Sequence, residues 1–509
     1  MLLLVHKFAS WILKRRISQI ESFLYHPHEV QEAHFEMLIE RAVSTSWGKE
    51  YGYADIDTLA KFRERVPISN YEKLYPWIER TLKGEADVLW PGQILWFSKS
   101  SGTTNDKSKY IPVTEDALEG CHFKAGQDML ALYFSEQPES KLFTGKALSI
   151  GGSHNVSHFN PQAHIGDVSA VITENLPRFF ELMRAPSKEV ALMADWEPKI
   201  EAMAEEIMHE DITSIAGVPT WTLVLIRRVF EKRGITSGNL LDVWPNLELF
   251  LHGGVNFDPY RQQFMDLIPS PQMTYLDVYN ASEGFFAVQN ELNSLDMLLM
   301  LDHGIFYEFI PVEELGRDHP KTHVLDEVEL GRSYAIVIST NAGLWRYMVG
   351  DTVMFTSLDP YKIKVTGRTK QFINAFGEEL VVENAERAIT AACEATGAIV
   401  CDYTAAPIYF KEGEKGGHEW LIEFEKQPHN LEQFREVLDQ TLKQVNSDYE
   451  AKRTMDIALA PPLIHVLSTG TFHHWMKLRG KLGGQHKVPR LANDRLYLEE
   501  ILQLGVNSQ

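Results

Sequence analysis

Short, unbroken apolar runs followed by turn residues or helical sequence are the feature that most restricts this chain. They read ALSIGGS from Ala147, ITSIAGVP from Ile212, LELFLHGG from Leu247, GIFYEFIP from Gly304 and YAIVIST from Tyr334. Runs of this length without polar alternation fit strands covered on both faces. Sequence with helical apolar spacing lies between or before them, as in EVQEAHFEMLIERAV (near 29–45) and TWTLVLIRRVFEKRG from Thr220. Strands that end in glycine or serine and lead into helices predict an α/β body with functional loops at the strand ends. No repeat period is evident.

The character changes near residue 365. YKIKVTGRTKQFINAFGEELVVENAERAI reads as a hairpin leading into a helix. Strand-like AIVCDYTAAPIYF and HEWLIEFE follow, then a charged helix from about Asn430 and a strand LIHVLST. The pattern predicts a large N-terminal domain of β-sheets and surrounding helices (1–366) and a smaller α+β C-terminal domain (367–509). Gly367-Arg368-Thr369 is the expected hinge.

Charge and cysteine content narrow the function. The 509 residues carry a net charge of -21, which opposes nucleic-acid binding because a phosphate backbone would be repelled. Cys121, Cys393 and Cys401 form no CxxC pair and no metal-ligand spacing, as suits a reducing compartment. The start, MLLLVHKFASWILKRRISQI, has too short an apolar run for a signal peptide, and its basic residues come after that run. It is expected to be an amphipathic helix packed on the body, with membrane-surface contact as the alternative. No stretch is long enough to span a bilayer, and a cytoplasmic protein is expected.

Four segments carry candidate chemistry. In WFSKSSGTTNDKSKYIPVT (96–114), an apolar lead-in reaches Ser100, Ser101, Gly102, Thr103 and Thr104, with Lys99 before them and Lys107 and Lys109 after. Backbone N–H groups, hydroxyls and a lysine can wrap a phosphate there, and a solvated turn is the alternative. A Walker A loop is excluded, because Asn105 and Asp106 stand where that motif needs a glycine before Lys-Ser/Thr. In LDVYNASEGFF (276–286), the Tyr279 ring could stack on a purine, Ser282 could bond a phosphate, and Glu283 could hold Mg²⁺ through oxygen. A helix start capped by Ser282 would explain the same residues. LWRYMVGDTVMF (344–355) places Asp351 where it could accept ribose hydroxyls, and a surface Gly-Asp turn is the alternative. LGGQHKVPRL (482–491) reads as a mobile basic loop or a solvated tail.

The order and spacing of these segments, together with YGYADIDTLAKFRERVPISNYEKLYPWIER and VLWPG near the N-terminus, resemble the adenylate-forming superfamily of acyl and aryl ligases and luciferases. Within it the chain is most similar to the Gretchen Hagen family of acyl acid amido synthetases, and the resemblance spans nearly the whole sequence. It implies that Ser100, Ser101, Gly102, Thr103 and Thr104 wrap the phosphates of ATP, with Lys109 nearby. Tyr279, Asn280, Ala281 and Ser282 would contact the adenine side and the α-phosphate region. Glu283 would position Mg²⁺ or the phosphates, and Asp351 would bind the ribose. Gly253 and Gly254 would let the backbone pass close to the adenine. Lys487 matches the lysine of the C-terminal loop, and Arg368 lies at the hinge. Met348 stands where plant members commonly carry an arginine, and the hinge lacks the aspartate that many ligases place there.

The activity implied is two successive steps. A carboxylic acid is joined to AMP with release of pyrophosphate, and an amine such as an amino acid then attacks the acyl-adenylate. Lys487 and Mg²⁺ would offset the repulsion between the carboxylate and the α-phosphate. The alternatives are a thioester-forming acyl-CoA ligase and a relative that only binds nucleotide.

Overall fold

A computed structural model describes residues 15–100, 109–254, 257–292, 294–317, 319–369, 372–378, 380–410, 415–453, 459–479 and 488–506. Residues 1–14 of the expected N-terminal helix, Ser101–Thr104 and Lys487 lie outside the described residues.

Strands β1 (Trp96–Ser100) and β2 (Lys109–Val113) flank the hydroxyl-rich loop as an antiparallel pair, with Ser100 opposite Lys109. After them come β3 (Lys146–Ser149), β4 (His154–Val156), β5 (His164–Gly166), β6 (Arg184–Ala185), β7 (Ile212–Gly217) and β8 (Leu249–Gly253). Next are β9 (Thr274–Ala281), β10 (Gly284–Gln289), β11 (Met297–Leu299), β12 (Ile305–Pro311), β13 (Ser333–Thr340), β14 (Tyr347–Leu358) and β15 (Tyr361–Arg368). One sheet has eleven strands in the order β12-β13-β14-β15-β11-β10-β9-β8-β7-β3-β6. Its β6-β3-β7-β8-β9 part is parallel and the remainder antiparallel. A second sheet runs β2-β1-β5-β4.

All five apolar runs become strands of the large sheet, and all seven residues of β12 and all six of β10 are buried. Helices supply the cover. Pro27–Ala42 lays Phe35, Leu38 and Ile39 on the antiparallel half. Pro219–Arg233 starts with proline at its first turn and stops at Gly234, whose φ of +65° is the left-handed cap that ends a helix.

The C-terminal part opens with a small hairpin, β16 (Phe372–Ile373) and β17 (Leu380–Val381), which leads into helix Val382–Thr396. Strands β18 (Ile399–Ile408), β19 (Gly417–Lys426) and β20 (Leu463–Leu467) form its sheet. The charged helix spans Leu431–Val445 and is capped by the Asn430 side chain on the Glu432 and Gln433 amides. The expected hairpin before residue 382 is therefore β16-β17, because YKIKVTGR is absorbed as β15 into the large sheet. One apolar core runs from the parallel strands into this unit, joining Phe250, Tyr260 and Phe264 to Phe376, Phe410 and Trp420. The Tyr260 hydroxyl donates to the Ala375 carbonyl at 2.9 Å across that junction.

Candidate active site

The C-terminal ends of the parallel strands and the start of the C-terminal unit enclose a cavity of ≈ 700 Å³. Open α/β sheets place ligands beyond such strand ends. Gly254, Tyr279, Asn280, Ala281, Ser282, Glu283 and Asp351 line it from the sheet, with Lys99 and Lys109 entering from the second sheet. Asn374, Phe376, Tyr409, Asp448, Lys452 and Asn493 close it from the C-terminal side.

The Ser282-Glu283 pair is the two-residue loop of the β9-β10 hairpin, with Ala281 opposite Gly284. No helix follows, so Ser282 is not a helix cap. The tight loop thrusts Glu283 into the cavity while leaving it only 7 % exposed. The buried Tyr347 hydroxyl donates to Glu283 Oε1 at 3.3 Å. Burial, with the Glu283 charge beside it, drives the Tyr347 pKa well above its usual range, so it stays a donor.

Asp351 is not in a surface turn. It lies inside β14 and is buried, at an irregularity where Ala335 pairs with Thr352 but Val337 pairs with Met348. Gly350, at φ +100°, occupies this bulge, a conformation that favours glycine. The Tyr279 hydroxyl donates to Asp351 Oδ2 at 2.7 Å, so the aromatic and acidic candidates form one unit. Arg368 closes β15 directly opposite Asp351, and the Thr369 amide donates to the Gly350 carbonyl at 2.8 Å. The expected hinge thus begins on β15, the strand paired with the one that carries the ribose candidate.

Gly253 ends β8 against β9, and a Cβ there would meet the Val278 carbonyl at 2.5 Å. Gly254 takes φ +79°, and its carbonyl accepts from Asn374 Nδ2 at 3.2 Å. Gly253 thus serves the close approach of β8 to β9, and Gly254 a left-handed turn. Ser100 ends β1 at the mouth of the loop.

Several cavity residues are not among the candidates drawn from the sequence. Gly151 and Gly152 line the cavity, and their carbonyls both accept from Lys199 Nζ, at 2.6 and 2.9 Å. Ser169 Oγ accepts from the Gly152 amide and Asp167 Oδ2 from the Ser153 amide. Burial lowers the Lys199 pKa to about 8. The stacked rings of Trp196 and Trp221, 4.2 Å apart, add an apolar wall to the same cavity. Outside the cavity, His154 packs against Trp96 and His164, and its Nε2 lies 3.4 Å from Glu174 Oε2.

The donors in the cavity are carboxylates, hydroxyls and backbone groups, a set suited to a hard cation such as Mg²⁺. A separate triad, Asp128, Asp302 and His303, could also surround an ion, but Arg16 and Lys124 already neutralise it.

Three family models match the chain: the GH3 family N-terminal domain at 16–273, the GH3 family central domain at 298–368 and the GH3 family C-terminal domain at 383–496. An indole-3-acetic acid-amido synthetase of Arabidopsis thaliana, GH3.3, is 22% identical over 91% of this chain and 89% of its own length. The jasmonoyl–L-amino acid synthetase JAR4 of Nicotiana attenuata is 23% identical over 96% and 95%. Among solved structures, the AtGH3.15 acyl acid amido synthetase in complex with 2,4-DB matches with a TM-score of 0.63 at 18% identity, covering 96% of each chain. A 2-hydroxyisobutyryl-CoA ligase in its thioesterification state matches with a TM-score of 0.53 at 12% identity, covering 99% of this chain and 93% of that one. These two likenesses concern the fold.

Proposed function

The chain belongs to the GH3 (Gretchen Hagen) family, and from that premise we propose that it is an ATP-dependent acyl acid amido synthetase. It adenylates a carboxylic acid and passes the acyl group to an amine, an amino acid in the first instance. The observation that carries this reading is the convergence on one cavity of the Ser282-Glu283 hairpin loop, the tethered Tyr279–Asp351 pair and the Gly253-Gly254 backbone.

In this reading Asp351 accepts the ribose hydroxyls, held in place by Tyr279. The Tyr279–Ser282 strand end lies along the nucleotide, and Gly253 and Gly254 let the adenine approach the backbone. Ser100 to Thr104 and Lys109 take the phosphates. Glu283 would hold Mg²⁺, which when bound neutralises phosphate charge. The acid's carboxylate oxygen bonds to the α-phosphorus as pyrophosphate leaves. Lys487 is the cation assigned to the charge that builds on the α-phosphate. Val488 to Asn493 follow it in the chain, and Asn493 lines the cavity. The Trp196–Trp221 wall fits an apolar acyl group.

The two reactions need different groups around one acyl carbon. A unit beginning near residue 367 and turning about Gly367 would exchange them, and this gives the division 1–366 and 367–509 its mechanical sense. No helix among the described residues is long and apolar enough to cross a membrane. We place the enzyme in the cytoplasm on its three unpaired cysteines.

The test is release of AMP and pyrophosphate from ATP and Mg²⁺ against a panel of aryl, indolyl and fatty acids, each with amino acids or coenzyme A. Acid-dependent AMP release with an amide product supports the reading. A thioester product would make the chain an acyl-CoA ligase, and ATP binding without AMP release would leave a nucleotide-binding relative.

A further inference from the structure

Residues 66–71, VPISNY, belong to the N-terminal motif and bridge the two sheets by hydrogen bonds. Ser69 pairs in parallel with Tyr347. Its amide donates to the Arg346 carbonyl at 2.9 Å, its carbonyl accepts from the Met348 amide at 2.8 Å, and its hydroxyl donates to the Trp345 carbonyl at 2.7 Å. Two residues on, the Tyr71 hydroxyl accepts from the Tyr110 amide at 2.8 Å. Tyr110 follows Lys109 on β2, an edge strand of the second sheet, where alternate amides point away from the sheet and need another partner. Asn70 stands between them and caps helix Tyr71–Leu82, its side chain accepting from the Lys73 amide at 3.1 Å.

The backbone that Ser69 holds is strained. Arg346 is a non-glycine residue at φ +42°, a conformation that persists only where the surroundings over-determine it. Here they do. Its Nε and Nη2 donate to the two carboxylate oxygens of buried Glu308 at 2.8 and 3.0 Å. Nη2 also donates to Thr322 Oγ1, and Nη1 donates to the Val66 and Arg63 carbonyls. The next residue, Tyr347, is the one whose hydroxyl reaches Glu283. Burial above all, then the Glu283 charge and then Tyr71, raises the Tyr347 pKa, so Tyr71 stands beside the same pair.

Adenylation needs the phosphates, at the β1–β2 loop, and the Glu283 carboxylate, at the β9–β10 loop, in one fixed relation, although the two loops belong to different sheets. Misplacing reacting groups by about 1 Å can cost about 10²-fold in rate. Resting on the amido synthetase reading, we propose that residues 66–71 are a clamp that sets this relation, with Ser69 and Tyr71 as positioning residues for adenylation. Tyr71 holds β2 and through it the phosphate loop. Ser69 holds the backbone on either side of Arg346, and so aims Tyr347 at Glu283. Neither residue lines the cavity, so each acts through the groups it holds.

The experiment starts from Tyr71→Phe, which keeps the ring against Tyr75 and removes the acceptor of the Tyr110 amide. Acid-dependent exchange of pyrophosphate into ATP, which needs no amine, should slow by about tenfold or more. ATP affinity, read by calorimetry without acid, should fall by about fivefold. AMP lacks the β- and γ-phosphates and should bind within about twofold of wild type. Ser69→Ala should slow exchange comparably, and the double variant should lose little more than the worse single one, because both release one clamp. Near-native exchange in Tyr71→Phe, equal weakening of AMP and ATP, or losses that multiply in the double variant would overturn the clamp. Absence of exchange from the wild type with every acid would overturn the parent reading, and the comparison of ATP with AMP would still decide whether the clamp holds the phosphate loop.

Discussion

The Tyr279 hydroxyl donates to Asp351 Oδ2 at 2.7 Å, joining residues 72 apart in the chain inside one buried contact. It fixes the carboxylate that is assigned to the ribose. Tyr279→Phe removes the donor and keeps the ring. A hydrogen bond to a charged group contributes about 1.5–3 kcal/mol, so KM for ATP should rise by about tenfold or more while KM for the acid stays near wild type. Initial-rate kinetics with each substrate varied would check it. An equal rise in both constants would contradict the assignment.

Gly350 sits at φ +100° in the bulge before Asp351, with its carbonyl held by Thr369. Nothing but the Thr369 hydroxyl, 4.0 Å away, faces a Cβ at that position, so space is not the obstacle. The backbone conformation is, and a side chain there costs about 1–2 kcal/mol. Gly350→Ala should lower Tm by about 1–3 °C and weaken ATP binding with it. Calorimetry and ATP titration on the same sample would show whether the two losses travel together.

The polar network behind the sheet predicts an acid response. Burial opposes ionisation of Asp302, but the charges of His303, Lys124 and Arg16 outweigh it and hold its pKa below the usual aspartate value. A depressed folded pKa gives stability that is complete above the unfolded value, near about 3.9, and is lost as pH falls through the folded value. Asp302→Asn should therefore cost stability at pH 7 and flatten the fall in Tm below about pH 4. A variant whose Tm falls as steeply with acid as the wild type would contradict this.

Much of the fold was legible because the buried strands are long apolar runs, and burial on two faces leaves that composition few alternatives. The gathering of Tyr279, Ser282, Glu283 and Asp351 at one cavity was legible for a different reason: hydroxyls and acids at strand ends are where charge is needed. Ser282 and Asp351 show the limit. Local rules allowed a helix cap and a surface turn, and the pairing of β9 with β10 and of β13 with β14 decided against both. Lys199 and Asp448 were illegible, since an isolated lysine or aspartate on a helix reads as a solvated face until tertiary packing encloses it. Tyr347 was also missed, because only the fold brings it to Glu283.

Lys487 carries the adenylation step in this account. Lys487→Ala should slow acid-dependent pyrophosphate exchange by about 10²-fold or more, on the scale of losing one preorganised charge-stabilising donor, with Tm within a degree or so of wild type. Near-native exchange would remove Lys487 from the mechanism.

The most direct test of the central claim follows oxygen. If the acid's carboxylate attacks the α-phosphate, an acid labelled with ¹⁸O in both carboxyl oxygens must leave one label in AMP and one in the amide after conjugation to an amino acid. Mass spectrometry of AMP from a single turnover would read it. One ¹⁸O per AMP is the predicted result; label in inorganic phosphate, or none in AMP, would contradict adenylation.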